Sequence, residues 1–306
     1  MVDLSTTLGS LQLRGPVLTA SGCAAAGKEL DQFFDITTIG GIVTKSIMLA
    51  PRSGRPTPRM AETPSGMLNS IGLQGPGVDH FMEHDLQWLA DRGATTIVSI
   101  AGNDVAEFAA LASKLKYHPA VAAIEINISC PNVANRGLVF ACAQGTAAEV
   151  VSAVRAAAGP TMPLLAKLSP DVTDITAIAH AVVEAGATGV SVINTVLGMA
   201  LDSKTLRPVL GGKTGGLSGP AIKPIALRCV YQIRAALPEL PILGMGGIRS
   251  GRDALEFIAA GANAVSVGTA TFGDPSAPYR VTGELFEEMK SRGFSSIAEI
   301  SGIAHR

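Results

Sequence analysis

At 122–130 the chain reads AAIEINISC. Strict alternation places Ile124, Ile126 and Ile128 on one face of an extended segment and Glu125, Asn127 and Ser129 on the other, as the two-residue period of a strand requires. The isoleucine face suits packing under helices. The polar face needs partners, because a buried amide or carboxyl left unpaired costs roughly 1–3 kcal/mol. An internal hydrogen-bond network or a bound ligand would each supply them.

Outward from this strand, similar short runs recur: 16–22 (PVLTASG), 40–47 (GGIVTKSI), 95–102 (TTIVSIAG), 163–170 (PLLAKLSP), 189–195 (GVSVINT), 241–248 (PILGMGGI) and 264–270 (AVSVGTA). Between them lie helical patterns at 78–91, 103–117, 145–158, 174–185, 219–236, 250–260 and 275–291. Eight such strand and helix units predict a TIM (β/α)8 barrel, a fold whose chemistry sits on loops at the carboxyl ends of the strands. Two longer irregular stretches, 48–76 and 196–218, follow the second and sixth strands, where insertions become active-site loops. A doubly wound open sheet is the competing architecture. It wants a glycine fingerprint after the first strand, and ASGCAAAG at 20–27 is a poor match.

Composition agrees. The 306 residues are expected to form a single barrel domain, 1–306, since barrels reach this length undivided. Charged residues make up 16% of the chain against about 25% in typical proteins, and 34 residues are Gly, a mixture suited to strands buried on both faces and joined by tight turns. A net charge of -1 argues against nucleic acid or an anionic membrane surface as partner. The opening MVDLSTTLGS lacks a basic, then apolar, export signal, and no apolar run matches a spanning helix. A cytoplasmic protein is expected. Cys23, Cys130, Cys142 and Cys229 form no CxxC pair, so no zinc or iron–sulfur site is expected and the thiols should be free.

Lys45 and Lys167 are lone cations in apolar strands. An anionic cofactor or substrate would meet their charge; otherwise their stems would have to snorkel to solvent. GMGGIRSG at 244–251 and VGT at 267–269 close the seventh and eighth strands, the usual phosphate position of the barrel, where glycine lets an anion approach backbone N–H groups. GGLSGP at 215–220 adds further amides. Cys130 lies at the mouth of the fourth strand before Pro131, where a thiol can act as base or nucleophile or serve only in packing. No histidine is adjacent to activate it. His80, His84, His118, His180 and His305 fall in helical or terminal stretches.

Six segments taken in order, TKSIM at 44–48, MLNSIGLQGPG at 67–77, NISCPNV at 127–133, KLSP at 167–170, INT at 193–195 and GGLSGPAIKP at 215–224, resemble the catalytic subunit of cytosolic dihydroorotate dehydrogenases. The likeness runs from about residue 9 to about residue 300. It implies a TIM barrel carrying FMN that oxidises (S)-dihydroorotate to orotate in pyrimidine synthesis. By motif position, Ser21, Lys45, Ser46, Ser99, Asn127, Lys167, Ile193, Gly219, Gly246, Gly247, Gly268 and Thr269 should contact FMN. Lys45, Asn69, Ile71, Gly72, Leu73, Asn127, Asn132, Asn194 and Thr195 should hold the substrate. Cys130 resembles the family's base, and Lys45 is its companion among the catalytic residues. Amide side chains suit a ring of alternating carbonyls and N–H groups because each donates and accepts at once.

The cysteine at the base position and the stretch APRSGRPTPRMAETPSGMLNSIGLQGPG at 50–77 resemble the NAD-linked subclass rather than the fumarate-linked or membrane-bound ones. That subclass implies a homodimer joined to a subunit bearing FAD and a [2Fe–2S] cluster. Two segments depart from the pattern. ASGCAAAG replaces an aromatic-containing turn, and NRGLVFACAQG at 135–145 replaces a Gly-rich loop after the base. The second segment is similar to the pyrimidine-reducing domain of dihydropyrimidine dehydrogenases, which makes reduction of uracil or thymine in the same pocket the alternative activity. A non-enzymatic flavin-binding barrel is a remoter alternative, against which Cys130 and Lys45 both speak.

Overall fold

The computed structural model describes residues 2–128 and 143–306. Eight strands, β1 (Val17–Thr19), β2 (Ile42–Val43), β3 (Thr96–Ile100), β4 (Val121–Ile126), β5 (Leu164–Leu168), β6 (Gly189–Val192), β7 (Ile242–Met245) and β8 (Ala264–Val267), form one sheet in which sequence neighbours pair in parallel and β8 returns to β1. The remaining seam, between β1 and β2, closes through a parallel bridge from Leu18 to Gly41 and a 2.7 Å bond from Gly40 N–H to Val17 C=O. This is the expected TIM barrel. The strands are shorter than the sequence runs, and single backbone bonds such as Thr44 N–H to Ile97 C=O at 3.0 Å and Asn127 N–H to Ile100 C=O at 2.9 Å continue past their carboxyl ends.

Alternation in β4 holds as read. Ile124 and Ile126 pack outward with Leu111, Val150, Val151 and Val154, which come from the helices Val105–Leu115 and Gln144–Ala158. Ala123 points inward, into an apolar layer with Leu18, Val43, Ile97, Leu165, Leu243 and Ala264. An antiparallel hairpin, Thr6–Leu8 with Leu11–Leu13, adds Leu8 and Leu13 to this layer and plugs the amino-terminal end of the barrel. The polar inward residues, Ser99, Glu125, Lys167, Ser191 and Ser266, are all buried within β3, β4, β5, β6 and β8.

Helices begin where acceptor side chains can cap them: Asp104, Asp174 and Ser250 each accept from backbone N–H groups of the first turn, at Val105–Leu115, Ile175–Glu184 and Gly251–Ala259. The run expected at 219–236 divides into a 3-10 turn, Pro220–Ile222, and a helix, Lys223–Ala236. Between β1 and β2 stand only two 3-10 turns, Leu30–Gln32 and Ile36–Thr38.

The stretches 48–76 and 196–218 are not irregular. Each contributes two strands, Met60–Thr63 with Gly66–Asn69 and Val196–Gly198 with Gly215–Ser218, to one four-stranded antiparallel sheet. The pairing joins segments about 150 residues apart, which no local signal in either can announce. Among the described residues, no helix is long and apolar enough to cross a membrane.

Candidate active site

One cavity of about 580 Å³ opens at the carboxyl ends of the barrel strands, bounded by loops of the barrel and by the four-stranded sheet. Ser21 enters from the loop after β1, Lys45 and Ser46 from that after β2, and Asn127 from the end of β4. Lys167 comes from β5 itself. Ile193, Asn194 and Thr195 follow β6, while Gly246, Gly247, Gly268 and Thr269 follow β7 and β8. Asn69, Ile71, Gly72 and Leu73 come from the first insertion and Gly219 from the end of the second. The structure therefore gathers at one cavity nearly every residue singled out in the sequence. Ser99 lies behind the wall, with its Oγ 2.9 Å from Ser46 Oγ. Cys130 and Asn132 lie outside the described residues. Lys45, expected within a strand, stands past the end of β2 and is half-buried.

A line of side-chain hydrogen bonds runs across this mouth. Ser21 Oγ and Ser46 Oγ are 3.2 Å apart, Asn127 Nδ2 donates to Ser46 Oγ across 2.9 Å, and Asn194 Nδ2 donates to Asn127 Oδ1 across 3.1 Å. Asn194 Oδ1 in turn accepts from Thr195 N–H across 2.8 Å. Four separate strand ends are thereby locked to one another. Thr269 Oγ1 donates to Ser218 Oγ across 2.8 Å, fastening the insertion sheet to the exit of β8.

The charge on the lining is one-sided: among the described residues, Lys45, Lys167, Arg249 and Arg280 border the cavity and no carboxylate does so. Such a cavity suits an anionic ligand. At its β7 and β8 end the backbone lies bare. Gly246 and Gly247 have φ of +126° and +78°, and a Cβ on Gly247 would stand 2.8 Å from Lys223 Cβ. Only glycine takes this turn unstrained, and a glycine turn lets an anion approach backbone N–H groups. Ser266 Oγ, in the cavity lining, is buried without a hydrogen-bond partner among the described residues. These features fit a flavin that carries a phosphate.

Several lining residues escaped the sequence reading. Ser266, like Ser191, follows from the same alternation that exposed Glu125, applied to AVSV and GVSV. Arg249 lay within the quoted GMGGIRSG. Arg280 has no local signal: it reaches the site from the helix Ala277–Ser291, held by Asp274 at 2.7 Å and Glu284 at 2.6 Å. Cys23 borders the cavity too, and burial pushes its thiol up to about 11 against the pull of Lys167 and Lys45. A smaller cavity of about 140 Å³ adjoins at Lys45, Ser46 and Leu73, where Ala25 and Ala26 present only methyl groups.

The profile of the family described as dihydroorotate dehydrogenase matches residues 3–289. The chain belongs to the dihydroorotate dehydrogenase family. Similar proteins include a chain of Trichlorobacter lovleyi, 50% identical over 98% of this chain and 97% of its own length, and one of Geotalea daltonii, 49% identical over the same shares. A third, of Desulforamulus reducens, is 48% identical over 99% of both. All three are named dihydroorotate dehydrogenase B (NAD(+)), catalytic subunit. Family membership accounts for the barrel.

Proposed function

We propose that this chain is an FMN-dependent dihydroorotate dehydrogenase that oxidises (S)-dihydroorotate to orotate in pyrimidine synthesis. The observation that carries the reading is the joining of Lys45, Asn69, Asn127, Lys167 and Asn194 on one cavity that, among the described residues, no carboxylate borders. A lining of that charge favours the carboxylate-bearing ring of dihydroorotate over uncharged dihydrouracil. The whole chain, 1–306, is read as one flavin-binding domain acting in the cytoplasm.

In this reading Ser21, Ser46, Asn127, Lys167 and Ile193 hold the flavin ring, with Ser99 acting through Ser46. Gly219, Gly246, Gly247, Gly268 and Thr269 hold the phosphate. FMN bound there supplies the hydride acceptor. Asn69, Ile71, Gly72, Leu73, Asn194 and Thr195 orient the substrate, with Asn132 assigned on its motif position and Lys45 shared between the two ligands. Dehydrogenation also needs a base for the proton beside the carbonyl, and Cys130 takes that role on its place in NISCPNV. The relatives are named as catalytic subunits, which supports a further subunit as partner; from the sequence resemblance we assign a homodimer of this chain joined to an electron-transfer subunit bearing FAD and a [2Fe–2S] cluster.

The test is anaerobic. The purified chain should release FMN on heating, and its flavin should bleach with dihydroorotate far faster than with dihydrouracil. Cys130→Ala should keep FMN but slow bleaching by roughly 10²–10⁴-fold, the usual worth of a general base. Released FAD, or equal bleaching by dihydrouracil, would overturn the assignment. Rapid NAD reduction by the chain alone would remove the need for a partner.

A further inference from the structure

The inward row of the barrel contains a carboxylate that the proposed reaction does not use. Glu125 is fully buried in β4, between register partners Ser99 and Leu165. Its Oε1 lies 3.4 Å from Lys167 Nζ, and its Oε2 has no hydrogen-bond partner among the described residues. Lys167, on the neighbouring strand, borders the cavity, whereas Glu125 does not. The ammonium thus stands between the carboxylate and the cavity.

As a stabilising device this pair is poor. Taking two charges out of water costs several kcal/mol for each ion, and one long contact with an unsatisfied oxygen does not recover it; apolar residues of the same volume would serve the barrel at least as well. The adjoining inward positions, Leu165 and Leu243, are filled in that way. What the pair provides that leucines cannot is a cation held at a set place with part of its charge offset from behind.

We propose that Glu125 is a positioning residue for Lys167: it anchors the ammonium from the side away from the cavity and sets how much of its positive charge reaches a flavin there. This rests on the reading of the cavity as an FMN site. Electrons added to the ring are stabilised by the nearby cation and opposed, more weakly, by the carboxylate behind it. Removing the negative charge while keeping the side-chain shape therefore makes the flavin easier to reduce.

The experiment is a dye-equilibrated reductive titration of the FMN-loaded protein as wild type, Glu125→Gln and Glu125→Asp. In Glu125→Gln the oxidised-to-reduced ratio at a fixed potential should fall roughly tenfold, a rise of about 30 mV in the midpoint of a two-electron couple. Glu125→Asp, which withdraws the carboxylate by one methylene, should shift the ratio the same way by about threefold, and it carries the test if the Gln variant does not fold. A purely structural glutamate would lower stability and leave the midpoint in place. An unchanged or lowered midpoint in a folded variant overturns the proposal, as does failure of both variants to fold. A wild-type chain that takes up no FMN overturns the flavin reading and this inference with it.

Discussion

Asn194 donates from Nδ2 to Oδ1 of Asn127 across 3.1 Å. The bond fixes which way each amide faces the cavity, since Asn127 Nδ2 is turned to Ser46 Oγ and Asn194 Oδ1 to Thr195 N–H. Amides oriented in this way can read the alternating donors and acceptors of a pyrimidine ring. Asn194→Ala should weaken orotate binding about tenfold, near 1.4 kcal/mol, with the fold retained. Titration of flavin absorbance with orotate measures it, and unaltered affinity would remove Asn194 from the substrate site.

A side chain adds to the backbone bonds that close the barrel. Thr19 Oγ1 accepts from Val43 N–H across 2.9 Å and donates to Val43 C=O across 3.3 Å, so one hydroxyl serves both backbone groups that β2 turns toward β1. Thr19→Val keeps the shape and leaves both groups without that partner, at a cost of about 1–3 kcal/mol. Denaturant unfolding should show this loss, and Thr19→Ser should recover most of it.

Asp253 organises the turn after β7. Its carboxylate accepts from Arg249 N–H and Ser250 N–H, both at 3.0 Å, and is paired with Lys223, which also reaches Glu256 at 2.7 Å. Burial alone would raise the carboxyl pKa, but Lys223 and these donors outweigh it and hold the group below its ordinary value. A depressed folded pKa favours folding above the unfolded value of roughly 4, and that contribution is lost as pH falls through the folded value. Asp253→Asn should therefore cost about 1–2 kcal/mol at neutral pH, the usual worth of a helix cap. The gap to wild type should narrow below pH ~4 in unfolding measurements; a gap independent of pH would show that shape, not charge, matters there.

Cys23 offers a probe of the cavity. With its thiol pushed up to about 11 by burial, it should alkylate far more slowly at neutral pH than an ordinary thiol of pKa ~8.5. Peptide mass spectrometry after iodoacetamide treatment should show labelling climb toward pH 10 and fall when FMN is added. Fast labelling at pH 7 would place the sulfur in water.

Short apolar runs recurring between helical patterns were enough to count the strands, and the alternation of AAIEINISC separated the helix-facing side of β4 from the interior, because strand and helix periods are set by residues only a few positions apart. The same local logic marked the glycine turns after β7 and β8 and the lone cations Lys45 and Lys167. What the tertiary structure alone decided were relations between distant segments. Two stretches that lack a shared period become one sheet, joined where Asn69 pairs with Gly216, because barrel closure carries the ends of β2 and β6 to the same mouth. Arg280 reaches the cavity from a helix whose own pattern signals only packing, and Glu125 meets Lys167 because two neighbouring strands share a register. Such contacts depend on how strands are aligned around a closed ring, and neither side chain carries that alignment in its own neighbourhood of the sequence.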